Sequence, residues 1–249
     1  MPELVYPPVI AAARTMFRVL DLRLQVTGSH HVPRTGGAVL ASNHVSYLDF
    51  IFCGYGAYES RRLVRFMAKE SVFTHKVSGP LMRGMKHIPV NRAAGAGSYQ
   101  TAVSALRRGE VVGVFPEATI SRSFTVKELK SGAARMAQQA GVPLLPVALW
   151  GTQRLWTKGR PRTLTRRHTP ITILVGEPMD PAGYPDATTM TAELRNRLSA
   201  LVDRAQREYP EQPAGPDDAW WQPAHLGGTA PTPERAAELD RPGRRTATS

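Results

Sequence analysis

The chain has 249 residues and a formal charge of +12, from 32 lysines and arginines against 20 aspartates and glutamates. This length is enough for one sizeable domain, and the charge favours anionic partners such as lipid headgroups, phosphorylated substrates or nucleic acid. The single cysteine, Cys53, excludes an intramolecular disulfide framework and any zinc module built from several cysteines, and it agrees with a reducing compartment.

The N-terminal 22 residues predict an amphipathic helix. Apolar residues recur at helical spacing over residues 9–20, whereas Arg14 and Arg18 fall on the opposite side. Two interpretations stay open: the helix packs on the core of the domain, or it lies in the headgroup layer of a membrane, for which the arginines are suited. The start lacks the pattern of a secretory signal, so we expect an intracellular protein.

Short apolar runs then alternate with helix-like segments, which is typical of a layered α/β fold. Strands are predicted at residues 38–41, 87–90, 111–115, 144–149 and 171–175. Helices are predicted at residues 48–58, 71–83, 97–108, 132–140 and 189–208. We therefore expect a single α/β domain over residues 23–209, with a mostly parallel or mixed central sheet flanked by helices.

The longest uncharged stretch, residues 136–153, does not predict a membrane span. Pro143 and Pro146 interrupt it and it contains three glutamines, which argues against a helix exposed to lipid. We interpret it as the end of a helix followed by a buried strand.

Residues 210–249 predict a disordered tail. They contain 7 prolines and 4 glycines in 40 residues and few aliphatic side chains. The adjacent Trp220 and Trp221 are the exception, and we expect them to dock on the domain, with insertion at a membrane interface as the alternative.

The segment from Ser42 to Asp49 lies where a predicted strand ends and a predicted helix begins, a position that carries reactive groups well. Five helical steps rotate by about 500°, so His44 and Asp49 share no helix face and His44 has to precede the helix. In that arrangement the carboxylate holds one imidazole nitrogen and leaves the other free to take a hydroxyl proton. The alternative is purely structural, because Ser46 and Asp49 also have the spacing of a capping box.

These residues resemble the 1-acylglycerol-3-phosphate acyltransferase family, whose pattern of Asn-His, four residues and Asp is matched at Asn43, His44 and Asp49. Further blocks of that family follow in its order: His87-Ile88-Pro89-Val90-Asn91-Arg92, Phe115-Pro116-Glu117-Ala118-Thr119, Leu129-Lys130-Ser131-Gly132 and Val142-Pro143-Leu144-Leu145-Pro146-Val147. Several short blocks in the correct order are far more specific than any one of them.

The resemblance implies that His44 is a general base oriented by Asp49, and that Arg92 and Glu117 help to bind a glycerol phosphate acceptor. Phosphate requires fixed donors, for which Arg92 offers a planar fork and Lys130 a point charge. The alternatives are an ordinary surface cation for Arg92, and for Glu117 a carboxylate that caps the next segment or pairs with an arginine.

The third block departs from the family, which usually has Glu-Gly-Thr-Arg where this chain has Glu117-Ala118-Thr119-Ile120. The customary arginine is missing. Arg122, two residues later, is our candidate to supply the charge, and Thr119 completes the predicted substrate-binding residues.

The resemblance implies transfer of a fatty acyl group from acyl-CoA or acyl carrier protein to the free hydroxyl of 1-acyl-glycerol-3-phosphate, without a metal or a cofactor. Glycerol 3-phosphate, another lysolipid or a glycolipid is the alternative acceptor. The acyl chain needs an apolar groove, and the candidates are Val72, Phe73, Leu81, Met82 and Met85. We expect a peripheral protein on the cytoplasmic side of the cell membrane, where the five cations in residues 158–168 would meet an anionic surface, coenzyme A or an acidic carrier.

Two other classes are disfavoured. A nonenzymatic basic protein that binds nucleic acid or membrane has the charge in its favour, but aromatic residues make up only 7% and no recognised nucleic-acid module occurs, so no nucleic-acid partner is expected. A hydrolase or metal enzyme would need a nucleophile elbow or further metal ligands, and neither Gly-x-Ser-x-Gly nor His-Glu-x-x-His is present.

Overall fold

A seven-stranded mixed sheet forms the centre of the computed structural model, which describes residues 3–91 and 95–241. The strands are β1 (Arg23–Thr27), β2 (Ala38–Ser42), β3 (Val64–Lys69), β4 (Ile88–Val90), β5 (Val111–Val114), β6 (Leu144–Trp150) and β7 (Pro170–Val175). Their spatial order is β1-β7-β6-β2-β5-β3-β4, and neighbouring strands are parallel except β6 and β7. The predicted α/β class with a mixed sheet is confirmed.

Helices cover both faces of this sheet. They are α1 (Tyr6–Val19), α2 (Asp49–Gly56), α3 (Glu70–Thr74), α4 (Ser78–Gly84), α5 (Gly95–Arg107), α6 (Gly132–Ala140), α7 (Ala187–Arg207) and α8 (Pro233–Asp240). Short 3₁₀ turns occur at Ser29–His31, Thr152–Arg154, Pro181–Gly183, Pro216–Trp221 and Ala224–Leu226. Within the described part of the chain, no helix combines the length and apolar character needed to cross a membrane.

The buried strand β2 shows how the two cores are divided. Its side chains alternate in direction, so Val39 and Ala41 join the core beneath α5, α6 and α7, whereas Ala38 and Leu40 join the core beneath α1 and α2. All five residues of β2 are buried, as expected for a strand with parallel neighbours and helices on both faces. The carboxyl end of β2 is therefore fixed deep in the fold.

The sequence patterns did not predict strands β1 and β3, or the division of one predicted helix into two. β1 lies at an edge of the sheet and alternates exposed and half-buried residues, and β3 contains Arg65, whose charge is met by Glu3 at 2.6 Å and Glu110 at 2.7 Å. The predicted helix over residues 71–83 is two helices, because Pro80 cannot lie in a helix interior and instead occupies the first turn of α4.

Helix α1 packs one face against the domain. Phe17 is 6% exposed and stacks on Phe52 of α2 at 5.2 Å between ring centroids. Tyr6 is also buried, and its hydroxyl donates to the main-chain oxygen of Val64. The packed interpretation of this helix thus holds for that face, while its contact with a membrane stays a prediction.

The segment after Pro210 is more ordered than its composition predicts. Trp221 is 2% exposed, its ring lies 5.5 Å from that of Tyr209, and the guanidinium carbon of Arg154 lies 4.4 Å above it. One large side chain buries enough apolar area to hold a segment that is polar on average. Residues 210–241 are thus ordered beyond what their composition indicated, with Trp221 docked as expected, and residues 242–249 lie outside the described part.

Replacing Trp221 with alanine is expected to lower the free energy of unfolding by about 3–5 kcal/mol, because it leaves a cavity in the core. Denaturant unfolding of purified protein measures this. The neighbouring Trp220, which is only half-buried, provides the matched control, and its alanine variant should lose much less. Equal losses for both variants would contradict docking through Trp221.

Candidate active site

Asn43 is the first residue after β2, and its side chain pairs with the main chain of the neighbouring strand β6. Its amide nitrogen donates to the main-chain oxygen of Leu149 at 3.0 Å, and its amide oxygen accepts from the main-chain nitrogen of Leu149 at 2.7 Å. This paired contact with β6 fixes the direction in which the next residue, His44, leaves the sheet.

His44 and Asp49 form the centre of the site. The imidazole Nδ1 lies 2.9 Å from Oδ2 of Asp49, whose side chain is fully buried. The same oxygen accepts from the amides of Val45 and Ser46, each at 2.7 Å, and Oδ1 accepts from the hydroxyl of Thr152 at 2.6 Å. These hydrogen bonds offset the burial of the carboxylate and fix its position.

This geometry contains only half of the predicted capping box. Asp49 accepts from the amide of Ser46, but it is the first residue of α2 after the N-cap Leu48, and the hydroxyl of Ser46 accepts from the amide of Leu48 instead of closing the box. The same carboxylate also holds the imidazole of the preceding turn. With Nδ1 donating to the carboxylate, Nε2 of His44 is left to accept a proton. The imidazole is 20% exposed, so this nitrogen lies in a partly solvated site.

Phe115, at the end of β5, supports the imidazole from one side. The two rings stack at 4.3 Å between centroids with 24° between their planes. The ring centroid of Phe115 in turn lies 6.1 Å from that of Phe66 in β3. An aromatic row therefore runs from His44 toward the core beneath α1 and α2.

Glu117 connects the end of β2 with the loop that follows β5. Its Oε1 accepts from the main-chain amide of His44 at 2.8 Å, and its Oε2 accepts from that of Lys127 at 3.1 Å. The side chain is nearly inaccessible at 5%. Burial raises the pKa of Glu117 to about 7, although both amide hydrogen bonds act in the opposite direction. The predicted contact of Glu117 with the acceptor stays a prediction.

Glu117 should make stability depend on pH. An acid whose folded-state pKa is raised from 4.5 to about 7 stabilises the folded state fully below pH 4.5, and this contribution is lost as the pH rises to 7. A shift of this size corresponds to about 3 kcal/mol. We expect the free energy of unfolding, measured by denaturant at pH 5 and pH 8, to fall more in wild type than in Glu117→Gln. Parallel profiles would contradict the raised pKa.

The third block differs from the usual family sequence at Ala118 and Ile120, and the structure shows how both residues are accommodated. Ala118 adopts φ +61°, a conformation that the glycine usual at this place adopts without strain. Ile120 is 5% exposed, so the side chain at this position enters the core instead of the site. The next residue, Ser121, donates its amide to the main-chain oxygen of His44 at 2.7 Å, which keeps this loop against the turn that carries His44.

The remaining predicted residues separate into three cases. Arg122 and Thr119 lie on the loop beside the turn that carries His44, where Arg122 contacts Asp240 and Thr119 accepts from Lys127 Nζ at 2.5 Å. Lys130 is exposed, and its main-chain amide donates to Pro116. Arg92 lies outside the described residues.

Thr152 and Lys127 were missed in the sequence, although both follow recognisable signals. Thr152 comes directly after the buried strand β6, and Lys127 follows the third block by a few residues. The signal for Thr152 was its place at the end of a buried strand, where functional groups are common, and the signal for Lys127 was its positive charge close to the third block. The described residues contain no group of three or more His, Cys, Asp or Glu side chains that would hold a metal ion.

An apolar cavity of about 620 Å³ opens between α1, α2 and α4. Of the five predicted groove residues, Leu81, Met82 and Met85 line it, whereas Val72 and Phe73 do not belong to its described lining. Phe66 lines it as well, which connects the cavity with the aromatic row from His44.

Buried His87 forms part of the wall of this cavity. Its Nδ1 accepts from the amide of Phe66, and burial lowers the pKa of His87 to about 4. The imidazole is therefore neutral near pH 7, and the wall is uncharged at this point.

Residues 23–150, just over half of the chain, match a family model described as Acyltransferase. A 1-acyl-sn-glycerol-3-phosphate acyltransferase from Bacillus subtilis is 28% identical over 199 residues, which cover 78% of this chain and 90% of that protein. One from Limnanthes douglasii is 30% identical over 159 residues, which cover 62% of this chain and 54% of that protein.

The fold is similar to the crystal structure of the 1-acyl-sn-glycerophosphate (LPA) acyltransferase PlsC from Thermotoga maritima. The TM-score is 0.71 at 24% sequence identity, with 82% of this chain and 81% of that chain covered. At this identity the likeness concerns the fold.

Proposed function

Since this chain belongs to the acyltransferase family, we propose that it moves a fatty acyl group from a thioester of coenzyme A or acyl carrier protein to the free hydroxyl of 1-acyl-glycerol-3-phosphate, forming phosphatidic acid. The observation that carries this proposal is the pairing of His44 with Asp49 beside an apolar cavity. The names of the relatives from Bacillus subtilis and Limnanthes douglasii support the choice of acceptor.

The chemical step follows from the free nitrogen of the imidazole. Nε2 of His44 takes the proton of the acceptor hydroxyl while the oxygen of that hydroxyl attacks the thioester carbonyl. The tetrahedral intermediate then collapses, the carbon–sulfur bond breaks, and His44 returns the proton to the departing thiolate. Asp49 holds the ring and stabilises the imidazolium that forms between the two transfers. The substrate hydroxyl is the nucleophile, so the protein needs none of its own.

The apolar cavity is suited to the acyl chain of the donor. Its volume lies within the range of about 300–1,000 Å³ that is usual for ligand sites. Phe66 in its wall contacts Phe115, which stacks on His44, and this row of rings supports a path from the cavity to the base, although Phe115 and His44 are outside the cavity's described lining. Burying each methylene contributes about 0.8 kcal/mol.

Narrowing the cavity should shorten the acyl chains that the enzyme accepts. Ala13 on α1 lines the cavity, and Ala11 on the same helix is exposed. Ala13→Phe is expected to lower kcat/KM for palmitoyl donors about tenfold or more relative to octanoyl donors, since lost burial of two methylenes has that effect. Ala11→Phe should leave the ratio unchanged. An unchanged ratio in Ala13→Phe would place the chain elsewhere.

The mouth of the cavity is suited to a membrane surface. Leu81 on the cavity wall is 42% exposed, and the nearby Val77 is 69% exposed. Arg14 and Arg61 line the same cavity, and such cations favour anionic headgroups. We infer a peripheral protein on the cytoplasmic side of the cell membrane. Sedimentation with anionic but not with neutral liposomes is expected, and no sedimentation with either would contradict this location.

The test of the proposed reaction is acyl transfer by purified protein with radiolabelled palmitoyl-coenzyme A. Lysophosphatidic acid, glycerol 3-phosphate and monoacylglycerol are offered as separate acceptors. We expect labelled phosphatidic acid from the first of these only. Preferred transfer to another acceptor would retain the mechanism and replace the substrate, whereas no transfer from either coenzyme A or acyl carrier protein would overturn the proposal.

A further inference from the structure

Asp240, the last residue of α8, lies in a cluster of cations contributed by distant parts of the chain. Its carboxylate contacts three side chains: Lys158 Nζ at 2.5 Å, Arg122 Nε at 3.1 Å and Lys127 Nζ at 3.4 Å. The side chains of all four residues are between 21% and 29% exposed. One carboxylate neutralises one of three positive charges, so the cluster keeps an excess of positive charge.

This cation cluster borders the turn that carries His44. The main-chain amide of Lys127 donates to Glu117, which also accepts from the amide of His44. Arg122 follows Ser121, whose amide donates to the main-chain oxygen of His44. Two of the three cations are therefore fixed to the same loop that supports the base.

The cluster has a defined shape. The guanidinium of Arg122 packs on Gly159, where an added Cβ would lie only 2.4 Å from Nη1 of Arg122 and where φ is +78°. Lys127 Nζ also donates to the hydroxyl of Thr119, which fixes its direction. The positions of Arg122 and Lys127 are thus set in part by contacts other than those with Asp240.

A phosphate monoester fits this set of donors better than a carboxylate does. It carries a charge of about −1.5 to −2 and three acceptor oxygens, against one charge and two oxygens for aspartate. Although burial acts in the opposite direction, hydrogen bonds from Lys158 and Arg122 lower the pKa of Asp240, which is therefore ionised near neutral pH. In the described structure the ionised carboxylate of Asp240 is the anion that these three cations share.

We propose that Arg122, Lys127 and Lys158 bind the phosphate monoester of a substrate, and that Asp240 occupies this site in the unliganded protein and is displaced by the phosphate. The inference rests on the proposed function, which supplies two such groups: the phosphate of the acceptor and the 3′-phosphate of coenzyme A. Asp240 ends a short helix anchored by Thr232 and Ala236, so its side chain can leave without disturbing the sheet. Occupation by Asp240 multiplies the apparent association constant for phosphate by the fraction of time that the site is open.

Binding of glycerol 3-phosphate, measured by calorimetry on the full-length chain, tests the competition without any turnover. If Asp240 closes the site for nine-tenths of the time, Asp240→Asn lowers the dissociation constant about tenfold. Glu238→Gln is the matched control, because it removes the same charge from the same helix where Glu238 pairs with Arg235, and it should leave the constant nearly unchanged. Lys158→Gln should weaken binding.

An Asp240→Asn protein that binds glycerol 3-phosphate no more tightly than wild type overturns the proposal, since Asp240 would then only hold the cations in place. Circular dichroism of each variant establishes that the fold is retained. Calorimetry measures glycerol 3-phosphate binding even if the protein transfers no acyl group. Failure of the proposed function and failure of the anion site are therefore distinguishable.

The source of the phosphate follows from the Michaelis constants of Asp240→Asn. A lower KM for lysophosphatidic acid, with that for palmitoyl-coenzyme A unchanged, assigns the site to the acceptor. A lower KM for palmitoyl-coenzyme A that disappears with the 3′-dephospho thioester assigns it to the donor. Unchanged constants for both substrates in an active variant overturn the assignment of this site to a substrate.

Discussion

Replacing His44 with alanine is expected to lower kcat for acyl transfer by about 10³–10⁴-fold, because general base catalysis and the activation of a hydroxyl depend on this one imidazole. The KM values for both substrates should change little, since the described contacts of the ring are to Asp49 and Phe115. Initial rates with radiolabelled palmitoyl-coenzyme A measure the loss. The reverse result, with kcat unchanged and KM raised, would make His44 a binding residue.

Two further measurements separate a chemical role of His44 from a structural one. His30 is exposed and lies in the 3₁₀ turn at Ser29–His31, so His30→Ala serves as the control and should retain full activity. Added imidazole should restore part of the activity of His44→Ala, because a small base can enter the vacated space. A variant that is inactive only because it is misfolded gains nothing from imidazole.

The parts of the fold that could be predicted are those in which burial and local pattern agree. The buried strands β2, β5 and β6 are continuous apolar runs, and α6 has the bounds that its period predicts. β3 was missed because Arg65 is compensated by Glu3 and Glu110, partners about 60 and 45 residues away that no local pattern contains.

The same distinction applies to the candidate site. His44 and Asp49 are five residues apart, so their relation is readable from spacing and helix geometry. Thr152 lies 103 residues from Asp49, and it reaches the carboxylate only because β6 lies beside β2 in the sheet. The contact of Asp240 with the loop after β5 requires a docked C-terminal segment, which composition averaged over 40 residues does not reveal.

Asp49→Asn is expected to lower kcat by about 10²–10⁴-fold while the site keeps its shape. The asparagine oxygen can replace Oδ2 and accept from His44 and from the amides of Val45 and Ser46, and the new amide nitrogen can donate to the hydroxyl of Thr152. What disappears is the negative charge beside the imidazolium that forms during proton transfer.

The comparison of Asp49→Asn with Thr152→Val separates the charge of the carboxylate from its positioning. Thr152→Val keeps the charge and removes one of the hydrogen bonds that hold Asp49, so we expect it to lower the free energy of unfolding by about 1–3 kcal/mol and kcat much less than Asp49→Asn does. Denaturant unfolding and initial rates on both variants test this. If Asp49→Asn kept the wild-type kcat, the carboxylate would serve only to hold the turn before α2 through the amides of Val45 and Ser46, and these structural contacts alone would explain the spacing of His44 and Asp49.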